Sequence, residues 1–375
     1  MQSPLTLEKY QEIALLTDQN KRSGIGGVRF PILGLFGEVG SLLAEAKKNQ
    51  RDGLAYGDFR EAMVEEFGDA LWYFSNLASR TGTSLVSLDP QNAPTQSNLG
   101  PGIKSNYMSG SNVDGFEGQL IRLAGEVGIL VNVFGMEEDA AHESTLVNHL
   151  PRVFSALVEA ARLGGIDILE AAQQNIKKVR DRWPGAGAEH TALFDNAFDA
   201  DEQLPREIKM FFIEKKIGDK TYAIQKCNGI KIGDRLTDNM TGDDGYRYHD
   251  IFHLAFASVL GWSPVTRALF KCKRKSNSVA DEVEDGARAI VIEEGVSTWA
   301  FNYASRHSFF EGRSTLDYDL LKRIRVLVTG FEVERCALWE WEKAILTGYD
   351  VFRKIRKNHG GLVHANLLRR TITAE

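Results

Sequence analysis

Four carboxylates inside two apolar, helix-patterned segments constrain this 375-residue chain more than any other feature. On the first predicted helix, Glu38 and Glu45 are seven residues apart and share a face. On the second, Glu66 and Asp69 are three residues apart and are again neighbours. Unpaired carboxylates are costly to bury in such segments, so they need a partner. Two facing helices with inward carboxylates make a cage of hard oxygen ligands, which suits Mg²⁺ and a polyphosphate.

Apolar residues at three- and four-residue spacing predict helices through the first half of the chain. They cover Leu7–Leu16, Ile32–Ala46, Phe59–Ala78, Val153–Leu163 and Ile168–Trp183.

The second helical block resembles the first in sequence. Leu33–Gly40 lines up with Ile121–Gly128 at an offset of 88 residues and shares an identical Gly-Glu-Val-Gly. Because the apolar pattern around the match also corresponds, the sequence predicts a duplicated helical unit. Glu126 is the acid of the second copy, and Ile129 lies three residues after it.

The C-terminal half has a different pattern. The β-prone runs Ile208–Glu214 and Thr221–Cys227 flank a Gly-Asp turn and predict a hairpin, with a third strand at residues 230–232. Helical patterns return from Tyr248, and a short strand is expected after Asn358.

The predicted fold is mainly α, with two helical-bundle units followed by a mostly helical α+β domain. The predicted organisation is a helical unit with the acidic metal site at 1–85, a linker at 86–115, a second, degenerate helical unit at 116–184, a linker at 185–206, and the C-terminal domain at 207–375.

Composition narrows the functional classes. The net charge of −6 argues against a general nucleic-acid binder. Three scattered cysteines without CxxC spacing favour a reducing compartment over a disulfide framework or a cysteine zinc site. We find no run that approaches the ~20 apolar residues of a membrane span, and no leader segment. The sequence therefore predicts a cytoplasmic protein that does not bind membranes.

The first 184 residues resemble the MazG branch of the all-α nucleoside triphosphate pyrophosphohydrolases. That family has a Glu-x-x-Glu on one helix and a Glu-x-x-Asp on the next; Glu38 matches the first element, and Glu66 and Asp69 match the second. The phrase Gly68–Tyr73 and the ending Ala171–Pro184 are also typical of the family. The remainder of the chain resembles a domain found fused C-terminally to MazG-like proteins.

The resemblance implies tandem MazG-like units and hydrolysis of (d)NTP to (d)NMP and pyrophosphate, in nucleotide-pool cleaning or depletion. It implies Mg²⁺, with Mn²⁺ as an alternative, a nucleotide substrate, and either a monomeric pseudo-dimer or a homodimer. The chain departs from the family pattern at Ser41, where a second glutamate is usual, and Glu45 is the candidate replacement. We expect Lys178 and Arg182 to neutralise the leaving pyrophosphate and Asn175 to contact the nucleotide.

Other interpretations of the acids remain open. They also fit the solvated edges of amphipathic helices, and a basic last turn near Lys178 offsets a helix dipole without any substrate. The missing second glutamate also favours a non-catalytic nucleotide sensor.

A separate motif lies in the C-terminal domain, at His249-Asp250-Ile251-Phe252-His253. Two histidines four residues apart on a helix have the spacing of metal ligands, and Glu294 on a later helix offers a third ligand. Asp250 would then orient a histidine. The sequence thus predicts a transition-metal site, with an independent metallohydrolase as an alternative function; packed, hydrogen-bonded histidines are the rival interpretation.

Overall fold

The computed structural model describes residues 5–20, 25–88, 110–135, 140–185 and 187–375, and for 25–26, 110–114 and 140–143 only the backbone. Residues 89–109, most of the predicted linker 86–115, lie outside the described residues. The chain forms two compact units, Met1–Trp183 and Pro184–Glu375, called here the N-terminal and C-terminal units.

The N-terminal unit is helical throughout its described residues. Its helices are α1 (Leu7–Leu16), α2 (Ile25–Asp52), α3 (Phe59–Arg80), α4 (Leu85–Leu88), α5 (Gly110–Gly135), α6 (Ala140–Leu163) and α7 (Ile168–Arg182). Every helix predicted from apolar spacing is confirmed, and α2 and α6 extend beyond the predicted bounds. Asp167 caps α7, because its carboxylate accepts from the Leu169 amide at 2.8 Å.

One hydrophobic core serves the whole N-terminal unit. Leu35 and Val39 on α2 are buried, as are Leu123 and Val127 at the corresponding positions of α5, and all belong to this core. Helix α2 packs against both α3 and α5. The two segments with the shared Gly-Glu-Val-Gly are therefore neighbours inside a single unit. The duplication of MazG-like units stays a prediction.

Helix α2 is also notable for its hydropathy. The helical stretch Gly27–Ala55, most of which is α2, is long and apolar enough to cross a membrane by length and composition alone, although the sequence analysis found no such run. Ile32, Leu35 and Leu42 are buried in the core of the unit, so these apolar side chains have packing partners within the protein. Core helices often have this composition.

The C-terminal unit combines a small antiparallel sheet with helices. Its strands, in the spatial order β3-β2-β1-β4-β5, are β1 (Glu207–Ile217), β2 (Lys220–Cys227), β3 (Ile230–Leu236), β4 (Gly360–Asn366) and β5 (Thr371–Ala374). Its helices are α8 (Asp250–Ala255), α9 (Pro264–Phe270), α10 (Ala287–Ser305), α11 (Tyr318–Leu327) and α12 (Leu338–Lys357). The predicted hairpin is confirmed, with Ile217 paired to Lys220 across the Gly-Asp turn. The chain end contributes two strands, one more than expected, and β4 pairs with β1.

Candidate functional site

Three carboxylates from two neighbouring helices meet in the N-terminal unit. Glu38 on α2 and Glu66 and Asp69 on α3 each present an oxygen, and these three atoms lie within 4.8 Å of one another. All three residues are half-buried. The structure thus brings together the acids that the helical spacing placed on facing helices. We call these residues the carboxylate cluster.

Helix α7 supplies polar partners for Asp69. The Asn175 amide donates to Asp69 Oδ1 at 2.9 Å, and Lys178 Nζ lies 2.5 Å from Asp69 Oδ2. Lys178 also contacts Glu65 Oε1 at 2.9 Å. The Tyr10 hydroxyl donates to Asn175 Oδ1 at 3.1 Å, which fixes the orientation of the amide. Asn175 and Lys178 therefore lie beside the cluster, held by Glu65 and Tyr10, two residues that the sequence analysis did not assign.

The electrostatics of the carboxylate cluster favour a bound cation. Burial and the charge of Asp69 raise the pKa of Glu38. Burial, a hydrogen bond with Glu38 and the charges of Glu38 and Asp69 raise the pKa of Glu66 to about 8. Burial also raises the pKa of Asp69, against the opposing charge of Lys178. Because these acids disfavour each other's ionisation, a divalent cation among their oxygens would restore the ionised carboxylates.

Protons and Mg²⁺ should therefore compete at this cluster. The pKa of Glu66, about 8, lies above the ordinary glutamate value of 4.5. The folded protein without metal holds a proton that the unfolded chain releases, so its free energy of unfolding should fall as pH rises from about 4.5 to about 8. We expect the increase in melting temperature caused by Mg²⁺ to grow across the same window, and Glu66→Gln to remove that growth. An increase that is equal at about pH 5 and about pH 8 would contradict the competition.

Two predicted site residues lie outside the carboxylate cluster. Glu45 accepts a hydrogen bond from the Tyr56 hydroxyl. It shares a face with Glu38, but seven residues of helix separate the two by about 10 Å. Among the described residues, the acids whose oxygens meet within 4.8 Å at Glu38 do not include Glu45. The Arg182 guanidinium lies over the ring of Trp183, 4.9 Å from its centroid.

Glu126, the counterpart of Glu38 in the second Gly-Glu-Val-Gly, has a different environment. Its Oε2 lies 3.1 Å from His149 Nε2, on α6. Among the described residues, the acidic groups with metal-ligand spacing do not include Glu126. The second copy thus keeps the buried apolar positions of the first but not its carboxylate cluster.

A glycine allows α3 and α7 to approach closely at the cluster. A Cβ at Gly68 would lie 2.7 Å from the Ala171 carbonyl oxygen and 3.0 Å from Asn175 Cβ. Gly68→Ala should therefore lower the free energy of unfolding by about 1–3 kcal/mol, measured by denaturation, because the added Cβ pushes α7 and Asn175 away from α3. Gly118→Ala on α5 is the control, because a Cβ there meets nothing within 4 Å. Equal losses of stability in both variants would contradict the close approach.

The predicted C-terminal ligands also come together. His249 precedes α8 and His253 lies within it; with Asp250 they present three ligand atoms within 4.8 Å. Glu294 on α10 has Oε2 3.5 Å from His253 Nε2. The adjacent Glu293 is buried and contacts His253 Nδ1 at 2.8 Å, a contact that the sequence analysis did not assign. Neighbouring residues of a helix point about 100° apart, and here the two acids reach opposite nitrogens of one ring.

Comparison with known proteins identifies one half of the chain. Residues 189–375 match the family model of the MazG C-terminal domain. The C-terminal unit is a MazG-related domain. No curated protein and no solved structure matches the chain.

The MazG-related domain begins before the boundary expected from the sequence. The match starts at residue 189, inside the segment 185–206 that its Gly, Ala and Asp content predicts to be a linker. Leu193 and Leu204 are buried in the core of the C-terminal unit, and the Asp195 side chain is also buried. Because these three side chains are buried, the part of the predicted linker from residue 189 onward belongs to the domain.

Proposed function

We propose that the protein is an Mg²⁺-dependent nucleoside triphosphate pyrophosphohydrolase that converts (d)NTP and water to (d)NMP and pyrophosphate. The observation that carries the proposal is the convergence of oxygens from Glu38, Glu66 and Asp69 beside the Lys178 ammonium. The MazG-related C-terminal domain supports a connection to the MazG family.

The residues of the carboxylate cluster have complementary roles in this proposal. These carboxylates would hold Mg²⁺, or Mn²⁺, which would supply a Lewis acid for the phosphate oxygens and the attacking water. Glu38 and Glu66 share a hydrogen bond when no cation is bound, and once both are ionised one of them would accept the proton of the water. The Lys178 ammonium, held by Glu65 and Asp69, offers positive charge to the phosphate oxygens as negative charge shifts to pyrophosphate.

We propose a role for Asn175 other than the nucleotide contact expected from the sequence. It is 4% exposed, and its amide group bonds to Tyr10 on one side and Asp69 on the other. We therefore assign it to positioning Asp69 rather than to contacting the base. Arg182 stays a predicted contact of the leaving pyrophosphate.

Product analysis tests the function. The purified protein is incubated with Mg²⁺ and each common ribo- and deoxyribonucleoside triphosphate, while monophosphate and pyrophosphate are quantified together. Equal amounts of the two products, abolished by EDTA, are expected. Nucleoside diphosphate with orthophosphate would show cleavage of a different bond and contradict the proposal.

A non-catalytic nucleotide sensor is the second candidate. It is favoured by Ser41, which leaves the cluster with three carboxylates where the family pattern has four acids. In that case a nucleoside triphosphate with Mg²⁺ should raise the melting temperature without being consumed. Turnover that depends on the carboxylate cluster would exclude it.

A further inference from the structure

A buried cluster in the MazG-related C-terminal domain has the ligands and the hydrogen bonding of a metal site. It consists of His249, Asp250, His253 and Glu294, called here the histidine cluster. We propose that the histidine cluster binds a first-row divalent transition-metal ion. This site lies in a different unit from the carboxylate cluster, so the inference does not rest on the proposed function.

His253 has one ring nitrogen held by a carboxylate and the other without a hydrogen bond. Its Nδ1 lies 2.8 Å from Glu293 Oε1, and Glu293 accepts from the Ser263 hydroxyl at 2.6 Å and the Val265 amide at 2.8 Å. A carboxylate at Nδ1 keeps the proton there, so a neutral ring has its lone pair on Nε2. His253 is 1% exposed, and Nε2 makes no regular hydrogen bond, because the oxygen it faces, Glu294 Oε2, lies 3.5 Å away. Such carboxylate–histidine pairs typically support histidine metal ligands.

His249 has a corresponding arrangement. Its Nδ1 donates to the Tyr246 carbonyl oxygen at 3.0 Å, because a carbonyl can only accept. The other ring nitrogen, Nε2, lies 3.2 Å from Asp250 Oδ1. The other oxygen, Asp250 Oδ2, accepts a hydrogen bond from Gln225. The Tyr246 ring stacks on the imidazole at 4.6 Å and fixes its plane.

Two separations between these atoms match the spacing of neighbouring ligands around a tetrahedral ion, and His249, Asp250 and His253 each offer an atom within 4.8 Å of the others. The distance from His249 Nε2 to Asp250 Oδ1 is 3.2 Å. The distance from His253 Nε2 to Glu294 Oε2 is 3.5 Å. Ligands at about 2.0–2.2 Å from a tetrahedral ion are about 3.3–3.6 Å apart. A divalent cation between the facing imidazole nitrogens and carboxylate oxygens would take both kinds of group as ligands.

The ligand types determine which ions fit. Two imidazole nitrogens with two carboxylates suit Zn²⁺, Mn²⁺ or Fe²⁺, whereas Mg²⁺ and Ca²⁺ prefer oxygen ligands alone. The Glu294 side chain is 40% exposed while His253 is 1% exposed. The histidine cluster is therefore buried on one side and open to solvent at Glu294, which gives an ion a route of entry.

Metal analysis of the full chain tests the proposal. The protein carries Glu66→Gln to weaken binding at the carboxylate cluster, is stripped with a chelator and is dialysed against Zn²⁺. We expect one bound equivalent of Zn²⁺ that His253→Ala removes and that Glu294→Gln binds about 10- to 100-fold more weakly. Co²⁺ in place of Zn²⁺ should give a visible absorption band that His253→Ala abolishes.

The control is His307→Ala, a histidine of the same domain that lies beside Arg313 and outside the histidine cluster. It should retain the equivalent of Zn²⁺. Absence of Zn²⁺ from the protein with an intact histidine cluster would overturn the proposal and leave His253 as an imidazolium between two glutamates. Retention of Zn²⁺ by a folded His253→Ala would also overturn it. If His253→Ala does not fold, unchanged Zn²⁺ affinity in Glu294→Gln decides against the site.

Discussion

Glu38→Gln and Glu66→Gln should each abolish nucleotide turnover in a protein that remains folded. Each change keeps the shape of the side chain but replaces one of the three carboxylates whose oxygens meet within 4.8 Å. The loss of a group that stabilises charge in the transition state typically lowers kcat by about 10²- to 10³-fold, and loss of a metal ligand should cost at least as much. Pyrophosphate release under saturating Mg²⁺ measures the effect.

The chain contains a matched control for the first of these variants. Glu126 occupies the same position in the second Gly-Glu-Val-Gly, in the same unit, but contacts His149 rather than other acids. Glu126→Gln should therefore keep the turnover of the unmodified protein. Activity that survives in Glu38→Gln and is lost in Glu126→Gln would move the site to the second copy.

Asp285→Ala should have the largest effect on stability. Asp285 is fully buried and bonds to Arg274 through its Nη2 at 2.7 Å, its Nε at 3.1 Å and its backbone amide at 2.8 Å. Arg267 Nε lies 3.5 Å from the same carboxylate. Removal of the acid leaves two buried guanidinium groups short of a counter-charge, and breaking a buried pair in this way costs about 3–5 kcal/mol.

Urea denaturation followed by tryptophan fluorescence measures this loss. Four of the six tryptophans, at 262, 299, 339 and 341, are in the C-terminal unit and report on its unfolding. Asp350→Ala is the control, because that acid is 50% exposed and its pairs with Arg353 and Lys354 should contribute at most about 1 kcal/mol. Similar denaturation midpoints in the two variants would mean that the buried network contributes little.

Local sequence patterns predicted the secondary structure well. Leu7–Leu16 begins and ends as expected, and the hairpin turns at the predicted Gly-Asp pair, because apolar period and turn residues act over a few positions. Periodicity identifies the apolar face of a helix but not its partner. For that reason the sequence did not predict that α2 and α5 share one core, and the duplication of the helical unit stays a prediction.

The candidate site was predictable to the extent that it depends on local spacing. Glu66 and Asp69 are one turn apart on one helix, and their approach to Glu38 follows from α2 packing on α3. Local spacing was not enough to place Glu45, because two residues on one helical face can still be two turns apart. The hydrogen bond between Tyr10 and Asn175 joins residues 165 positions apart, and no local pattern encodes it.

Anomalous diffraction from crystals with Mn²⁺ and a non-hydrolysable nucleoside triphosphate tests the central claim most directly. Mn²⁺ accepts the same oxygen ligands as Mg²⁺ and can be located by its anomalous signal. We expect an anomalous peak among the carboxylates of Glu38, Glu66 and Asp69, with nucleotide phosphate oxygens beside it. Bound nucleotide elsewhere, with no peak at these three carboxylates, would contradict the assignment of the carboxylate cluster as the catalytic metal site.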